Sequence, residues 1–371
     1  MKVQLVDPSA FTPPYDRALA AALARGGAEV ELLTSRFLHG PVPEPQGYRV
    51  RECFYRRSAS RGLGAPARRA FKLAEHPFDM LRLRSALDAD VVHYQWLSLP
   101  GLDARLLSPH RPRLITAHYV LPPSPSRGQL ARARRLFSHM DAVVAHSEHG
   151  ASRLRREVGL DPARVRVIPH GAFDYLTRLG EEKPLPTELE GAAGPVILCF
   201  GLLRPYKGLD TLLRAFRSVK GAELWIVGNP RMDVEPLRRL AAEADGRVRF
   251  VTRFVEDAEI PPIFRRADLV ALPYRDAEHS GVVYTALAFG KPLILSSVGG
   301  FPELAETEAA RIVAPEDPAA LGQALSELVA DDAARAALGQ AATRAAAGPY
   351  SWDRVAEQTM ALYTELTEAP R

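Results

Sequence analysis

The sequence predicts an α/β protein of two doubly wound domains in tandem, and three observations predict it. At 371 residues the chain is longer than one hydrophobic core usually serves. Short apolar runs of strand length alternate with helix-length segments, first over 2–170 and again over 195–313. Between the two sets lies 179–195, rich in Glu, Pro and Gly and without apolar periodicity. These features place a first domain at 1–178, a linker at 179–195, a second domain at 196–349 and a closing helical segment at 350–371.

In chain order, 2–7 reads as a strand, 15–25 as a helix ended by Gly26 and Gly27, and 30–34 as a second strand. A proline-rich connector at 40–47 leads to a third strand at 48–55. From 56 to 84 the sequence is dense in arginine, with Phe71, Leu73, Phe78, Met80, Leu81 and Leu83 interleaved. Alternation then resumes with ADVVHYQW, a helix at 102–107, RLITAHYV, a helix at 129–137, DAVVAHS, a helix at 150–158 and VRVIPHG. The second set comprises PVILCFG, a helix at 208–218, ELWIVGN, a helix at 234–244, VRFVTRF, a helix at 260–266 and a strand at 269–272. A short strand near Ile312 follows, then helices at 318–330 and 331–347. The last helix, 351–366, has Trp352, Val355, Met360 and Tyr363 as its buried side.

Composition narrows the class. The apolar and charged fractions, 47% and 25%, are those of a globular protein. No apolar run approaches the ~20 residues that cross a bilayer, and the N-terminus enters a strand at once without a secretory h-region. Cys53 and Cys199 are too few for a disulfide framework or thiolate zinc site. The expected location is therefore the cytoplasm, with both thiols reduced. Charge is uneven: residues 1–175 hold 26 Lys+Arg against 16 Asp+Glu, and 176–371 hold 22 against 28. A basic half and an acidic half point to domains with different partners.

The most informative stretch is ADLVALPYRDAEHSGVVYTALAFGKPLILSSVGGFPE, 267–303. A buried strand stopped by Pro273 leads through a loop to Ser280, a natural N-cap, and an apolar helix over 282–289 ended by Gly290 and Pro292. A second strand and the pair Gly299 and Gly300 follow. Free amides at the carboxyl end of a parallel sheet suit an anion, a diphosphate in particular. The sharpest basic signal is FGLLRPYKGLD, where Arg204 and Lys207 offer a forked and a point-like cation within one loop after the second domain's first strand. Facing Ser280 and the amides of Gly281 and Val282, they would clamp a leaving diphosphate from two sides.

These pieces, with LWIVGNP and SVGGFPEL, resemble the C-terminal domain of glycosyltransferase family 4, of GT-B fold. VVHYQW, LITAHYVLPP and VRVIPHGAFD resemble its acceptor domain, and SWDRVAEQTMALY its closing helix, which crosses back to the first domain. The resemblance implies two Rossmann-like domains facing across a cleft, and retaining, metal-independent transfer of a sugar from a UDP- or GDP-sugar, with no further cofactor. It makes Arg204 and Lys207 the diphosphate clamp and Ser280, Gly281 and Val282 the phosphate-facing helix start. His118 becomes the first-domain residue beside the reacting sugar, and the backbone at 253–255, with Phe254, lies near the base. The family often carries two glutamates separated by seven residues; those places hold Ala277 and Thr285, with Glu278 one position off. Glu278 and Thr285 are therefore taken as donor contacts, and the ribose contact stays unassigned. Leu202 follows Gly201 where an arginine is common, and the first loop, DPSAFTPPYD, is not glycine-rich.

Other signals are weaker. Asp88-x-Asp90 has the form of a metal signature but stands just before a strand, where acids end the preceding helix. His146 and His149 have metal-ligand spacing only if both lie on the helix; Ser147 looks like its N-cap and no third ligand is near in sequence. The arginine-dense stretch 51–84 is either a solvated face or a surface for anionic lipid, which would suit a lipid-linked acceptor at the inner membrane surface. No aromatic platform or groove-reading helix supports nucleic acid. Two alternatives to transfer stay open on the same scaffold: a sugar-nucleotide 2-epimerase and a non-catalytic sugar-nucleotide-binding protein.

Overall fold

A computed structural model describes every residue except 39, 60–63, 111, 123, 245–246 and 370–371. Part of the arginine-dense stretch and the last two residues of the closing segment thus lie outside the described residues. The chain forms two compact units, Met1–Gly171 together with Trp352–Arg371, and Ala172–Ser351.

The first unit is built on strands β1 (Lys2–Asp7), β2 (Glu29–Ser35), β3 (Arg49–Phe54), β4 (Val91–Tyr94), β5 (Arg113–Thr116), β6 (Ala142–Ala145) and β7 (Val165–Val167). They pair in parallel in the order β3-β2-β1-β4-β5-β6-β7. Val, Ile and Leu fill the central strands because helices cover both faces. Those helices are α1 (Pro13–Arg25), α2 (Ala65–Ala86), α3 (Pro100–Leu106), α4 (Arg127–Ser138) and α5 (Glu148–Arg153). Ser126 and Ser147 cap α4 and α5 by accepting the amides of Gln129 and Gly150.

The sequence left 56–84 without an element, but most of it is the 22-residue α2. Pro66 is tolerated in the first turn, and His76, Asp79, Met80 and Leu83 form the buried side. Phe71, Leu73, Phe78 and Leu81 are exposed. Asp88 pairs with Lys2 at 2.6 Å and Asp90 accepts the Lys2 backbone amide at 2.7 Å, so the Asp-x-Asp serves the amino end of β1.

The second unit has strands β8 (Val196–Phe200), β9 (Glu223–Val227), β10 (Val248–Val251), β11 (Leu269–Leu272), β12 (Leu293–Ser296) and β13 (Ala310–Val313), parallel in the order β10-β9-β8-β11-β12-β13. Helices α6 (Leu209–Phe216), α7 (Glu235–Ala242), α8 (Ile260–Arg266), α9 (Gly281–Ala288), α10 (Pro318–Ala330) and α11 (Asp332–Ala347) cover it. The segment read as a linker, 179–195, is grouped with this unit: Leu189 is fully buried in its core, as is Leu176 just before. Isolated anchors of this kind leave no periodic trace in a sequence.

The final helix, α12 (Trp352–Glu368), belongs to the first unit. Trp352, Val355, Leu362 and Tyr363 pack with Val3, Leu5 and Leu19. The Tyr363 hydroxyl lies 2.7 Å from His93 Nδ1, and Thr116 Oγ1 lies 2.8 Å from His93 Nε2, joining helix to sheet. Burial pushes the His93 imidazole down to about 3, so it stays neutral there.

Candidate functional site

In a doubly wound sheet, neighbouring strands at the point where the order reverses send their connections to opposite faces and leave a crevice at their carboxyl ends. In the second unit that point lies between β8 and β11. The loop after β8 carries Gly201, Arg204 and Lys207, and the loop after β11 runs from Pro273 to the Ser280 cap of α9. Both stretches singled out in the sequence therefore meet at one place.

Lys207 is the centre of the arrangement, with only 4% of its surface exposed. Its Nζ donates to the Phe200 carbonyl at 3.3 Å and to the Tyr274 hydroxyl at 2.6 Å. Tyr274 Oη lies 3.2 Å from Ser280 Oγ, which accepts the Val282 amide at 3.3 Å. A polar chain thus runs from the ammonium through Tyr274 to the start of α9. An ammonium has three donors, so one remains beyond these two bonds. Burial pushes the Lys207 ammonium down from its ordinary range, and the nearby Arg204 charge adds to this. Burial likewise keeps the Tyr274 hydroxyl protonated.

Gly201 completes the cradle. Its φ is +101°, and a Cβ there would lie 3.0 Å from Lys207 Nζ and 3.2 Å from Val282 Cγ2. A side chain at 201 would fill the gap between the ammonium and the helix. Gly208, at φ +64°, lets the same loop turn against the Pro273 carbonyl, which a Cβ would meet at 2.0 Å. Arg275 fastens the two loops: its guanidinium holds both Asp210 oxygens at 2.8 Å, Glu316 at 2.8 Å and the Pro205 carbonyl at 3.0 Å. A buried cation beside helix amides, with a gap kept open by glycine, is suited to an anion that brings its own acceptors.

The other expected residues are placed as follows. Arg204 is exposed at the rim of the loop. Glu278 is buried, its carbonyl accepting the Gly300 amide at 3.2 Å. Thr285 is buried in α9, and its hydroxyl donates to the Gly281 carbonyl at 3.0 Å. Phe254 is half exposed after β10, and its carbonyl is taken by Arg253, which also pairs with Glu259 at 2.7 Å.

His118 lies in the first unit, buried after β5. Its Nδ1 is 3.1 Å from His146 Nε2, and His146 Nδ1 is 3.1 Å from the Ile168 carbonyl. A carbonyl only accepts, so His146 carries its proton on Nδ1. When both rings are neutral, His146 Nε2 accepts from His118 Nδ1, and the acceptor nitrogen of His118 is Nε2. The Tyr15 ring meets the His118 ring edge-on at 4.6 Å. His170 lies in the same group, 5.2 Å from His146 between ring centroids.

Sequence reasoning missed Tyr274, Arg275 and His146 as parts of these sites. Tyr274 and Arg275 stand in a loop that was located, but their partners Lys207 and Asp210 are 67 and 65 positions away. The one available signal for His146 was its place at a strand exit, shared with His118.

Residues 17–172 match the family model described as Glycosyltransferase Family 4, and 194–331 the one described as Glycosyl transferases group 1. A D-inositol 3-phosphate glycosyltransferase of Corynebacterium efficiens is 29% identical over 252 residues, covering 64% of this chain and 59% of that protein. A GDP-mannose-dependent monoacylated alpha-(1-6)-phosphatidylinositol monomannoside mannosyltransferase of Corynebacterium glutamicum is 35% identical over 246 residues, covering 62% and 64%. These alignments thus span less than two thirds of either relative. Among solved structures, sucrose-phosphate synthase from Thermosynechococcus elongatus superposes with a TM-score of 0.75 at 20% identity over all of both chains. Anabaena Alr3699/HepE, solved with UDP, gives 0.72 at 19% identity over 99% of this chain and all of the other. At such identities the structural likeness speaks for the fold. The chain belongs to glycosyltransferase family 4, and its two doubly wound units have the GT-B fold.

Proposed function

We propose that the protein is a retaining, metal-independent glycosyltransferase that moves a sugar from a UDP- or GDP-sugar to an acceptor. The observation that carries this reading is the Lys207 ammonium held at the start of α9 across the gap at Gly201. Breaking the sugar–phosphate bond leaves negative charge on the diphosphate. A fixed cation and preorganised amides stabilise that charge without rearranging during the reaction. Arg204 adds a second cation from the rim, Phe254 offers a ring face to the base, and Glu278 and Thr285 complete the donor contacts. The acceptor arrives on the face of the leaving phosphate, which takes its proton, giving retention without an enzyme nucleophile. His118 polarises the sugar, with its tautomer set by His146. The relatives named for GDP-mannose and the neighbour solved with UDP support a nucleotide donor.

Incubation with UDP- and GDP-sugars tests the reading. Release of UDP or GDP, increasing when acceptor is supplied, is the expected result. An isomerised donor would instead identify the epimerase, and binding without product the non-catalytic alternative.

A peripheral location at an anionic membrane surface is part of the same proposal. It is supported by the exposed Phe71, Phe78 and Leu81 of α2, with the exposed Arg82 and Arg84 beside them. No helix among the described residues is long and apolar enough to cross a membrane.

A further inference from the structure

The polar chain beside Lys207 has a fixed order of hydrogens. An ammonium only donates, so in its 2.6 Å contact with Tyr274 the phenol oxygen accepts. The Tyr274 hydrogen then needs an acceptor of its own, because only 1% of that residue is exposed. Among the described residues this acceptor is Ser280 Oγ, at 3.2 Å. Were Ser280 the donor instead, the phenol hydrogen would be buried without a partner, at the cost of its lost hydration.

Ser280 Oγ accordingly accepts twice, from Tyr274 and from the Val282 amide at 3.3 Å. A hydroxyl has two lone pairs and one hydrogen, so its accepting capacity is full and its hydrogen is unspent. Ser280 is half-buried, just before the helix whose Val282 borders the gap at Gly201. Across that gap stands Lys207 with its third N–H. Tyr274 is held in this geometry from several sides. Its carbonyl accepts the Ser296 hydroxyl, and its ring meets Tyr206 edge-on at 5.7 Å and Phe301 at 5.4 Å between centroids. The next residue, Arg275, ties the same backbone to the Lys207 loop by donating its amide to the Tyr206 carbonyl at 2.7 Å.

We propose, building on the transferase reading, that Tyr274 is a positioning residue for the leaving diphosphate. By taking a hydrogen from Lys207 and giving its own to Ser280, it makes the Ser280 hydroxyl a donor to a phosphate oxygen beside the ammonium. A capping serine needs only one lone pair for its helix and can turn its hydrogen several ways. Here Tyr274 fills the second lone pair and leaves the outward direction. The cap then serves the helix with its oxygen and the ligand with its hydrogen. Ionised phosphate oxygens accept and do not donate, so they match a wall made of donors fixed in advance.

The test is the calorimetric affinity of UDP and GDP for wild type, Tyr274→Phe, Ser280→Ala and the double variant, with uridine and guanosine as references. Ser280→Ala should weaken the diphosphates ~10-fold, the loss of one hydrogen bond to a charged group. Tyr274→Phe, which keeps the ring, should weaken them at least as much and leave the nucleosides unaltered. Adding Ser280→Ala to Tyr274→Phe should then cost little more, since the hydroxyl is no longer aimed. Ser280→Thr keeps both cap and hydroxyl and should bind as wild type does. Diphosphate affinity unaltered by Tyr274→Phe, or losses that multiply in the double variant, overturns the proposal. So does an equal loss for nucleosides and diphosphates, which marks a general distortion by Tyr274→Phe. These results leave the donor site standing and remove Tyr274 alone. Failure of wild type to bind either nucleotide overturns the donor reading itself and this proposal with it.

Discussion

At the scale of single residues, buried charges mark the places where function and stability compete. Lys207 is buried with two hydrogen bonds in place of water, an arrangement that a bound diphosphate would improve. Asp7 and Asp16 are a second case, both buried where β1 passes into α1. Asp7 accepts the amides of Ser9 at 3.0 Å and Phe11 at 2.6 Å, holding the loop that positions Phe11. Burial and the neighbouring Asp7 charge raise the Asp16 carboxyl well above its ordinary 3.8, so it keeps its proton and donates to Asp7. Above pH 3.8 the unfolded chain releases this proton while the folded chain retains it. Stability therefore falls as pH rises from there through the folded-state value. Asp16→Asn keeps a donor and removes the titration. It should match wild type in melting temperature at acidic pH and exceed it at pH ~8, by up to a few degrees. Parallel melting curves for the two proteins across this range would refute the assignment. Lys207 was legible in the sequence because strand, loop and cation are contiguous. The Asp7–Asp16 pair was not, since both acids lie in a segment whose turns the sequence does not explain: Ala10 adopts φ +46° without being glycine.

At the scale of elements, α9 and α2 differ in how much the sequence disclosed. The start of α9 was legible in full: Ser280 caps it and Gly290 ends it at φ +62°. Local chemistry sets both ends. The register of α2 was hidden, because arginines and exposed aromatics blur its apolar stripe and Pro77 stands inside it. Its solvent-facing Phe71 and Phe78 lead to a prediction. The protein should sediment with anionic vesicles, weakly with neutral ones, and less as salt rises. Phe71→Ser with Phe78→Ser should lower the partition by ~10-fold or more, since burying one phenylalanine contributes ~2 kcal/mol. Equal binding to neutral vesicles, or no loss in the double variant, would remove α2 from any membrane contact.

For the whole molecule, two parallel sheets each open a crevice where their strand order reverses, and the chain's uneven charge follows this division. The first unit's crevice is lined by Arg36, Arg68, Arg69 and Lys72; the second's holds the Lys207 ammonium beside the start of α9. Alternation of strand and helix made both sheets readable in advance. The membership of 172–195 in the second unit was not, because it depends on single buried leucines. The second crevice carries the proposed transfer. Its most direct measurement is the calorimetric affinity of UDP and GDP for wild type and for Lys207→Ala, with uridine and guanosine as references. Losing one charge-assisted contact should weaken the diphosphates by ~10- to 100-fold and leave the nucleosides unaltered. Equal diphosphate affinity for the two proteins would contradict the placing of the leaving group between Lys207 and the start of α9.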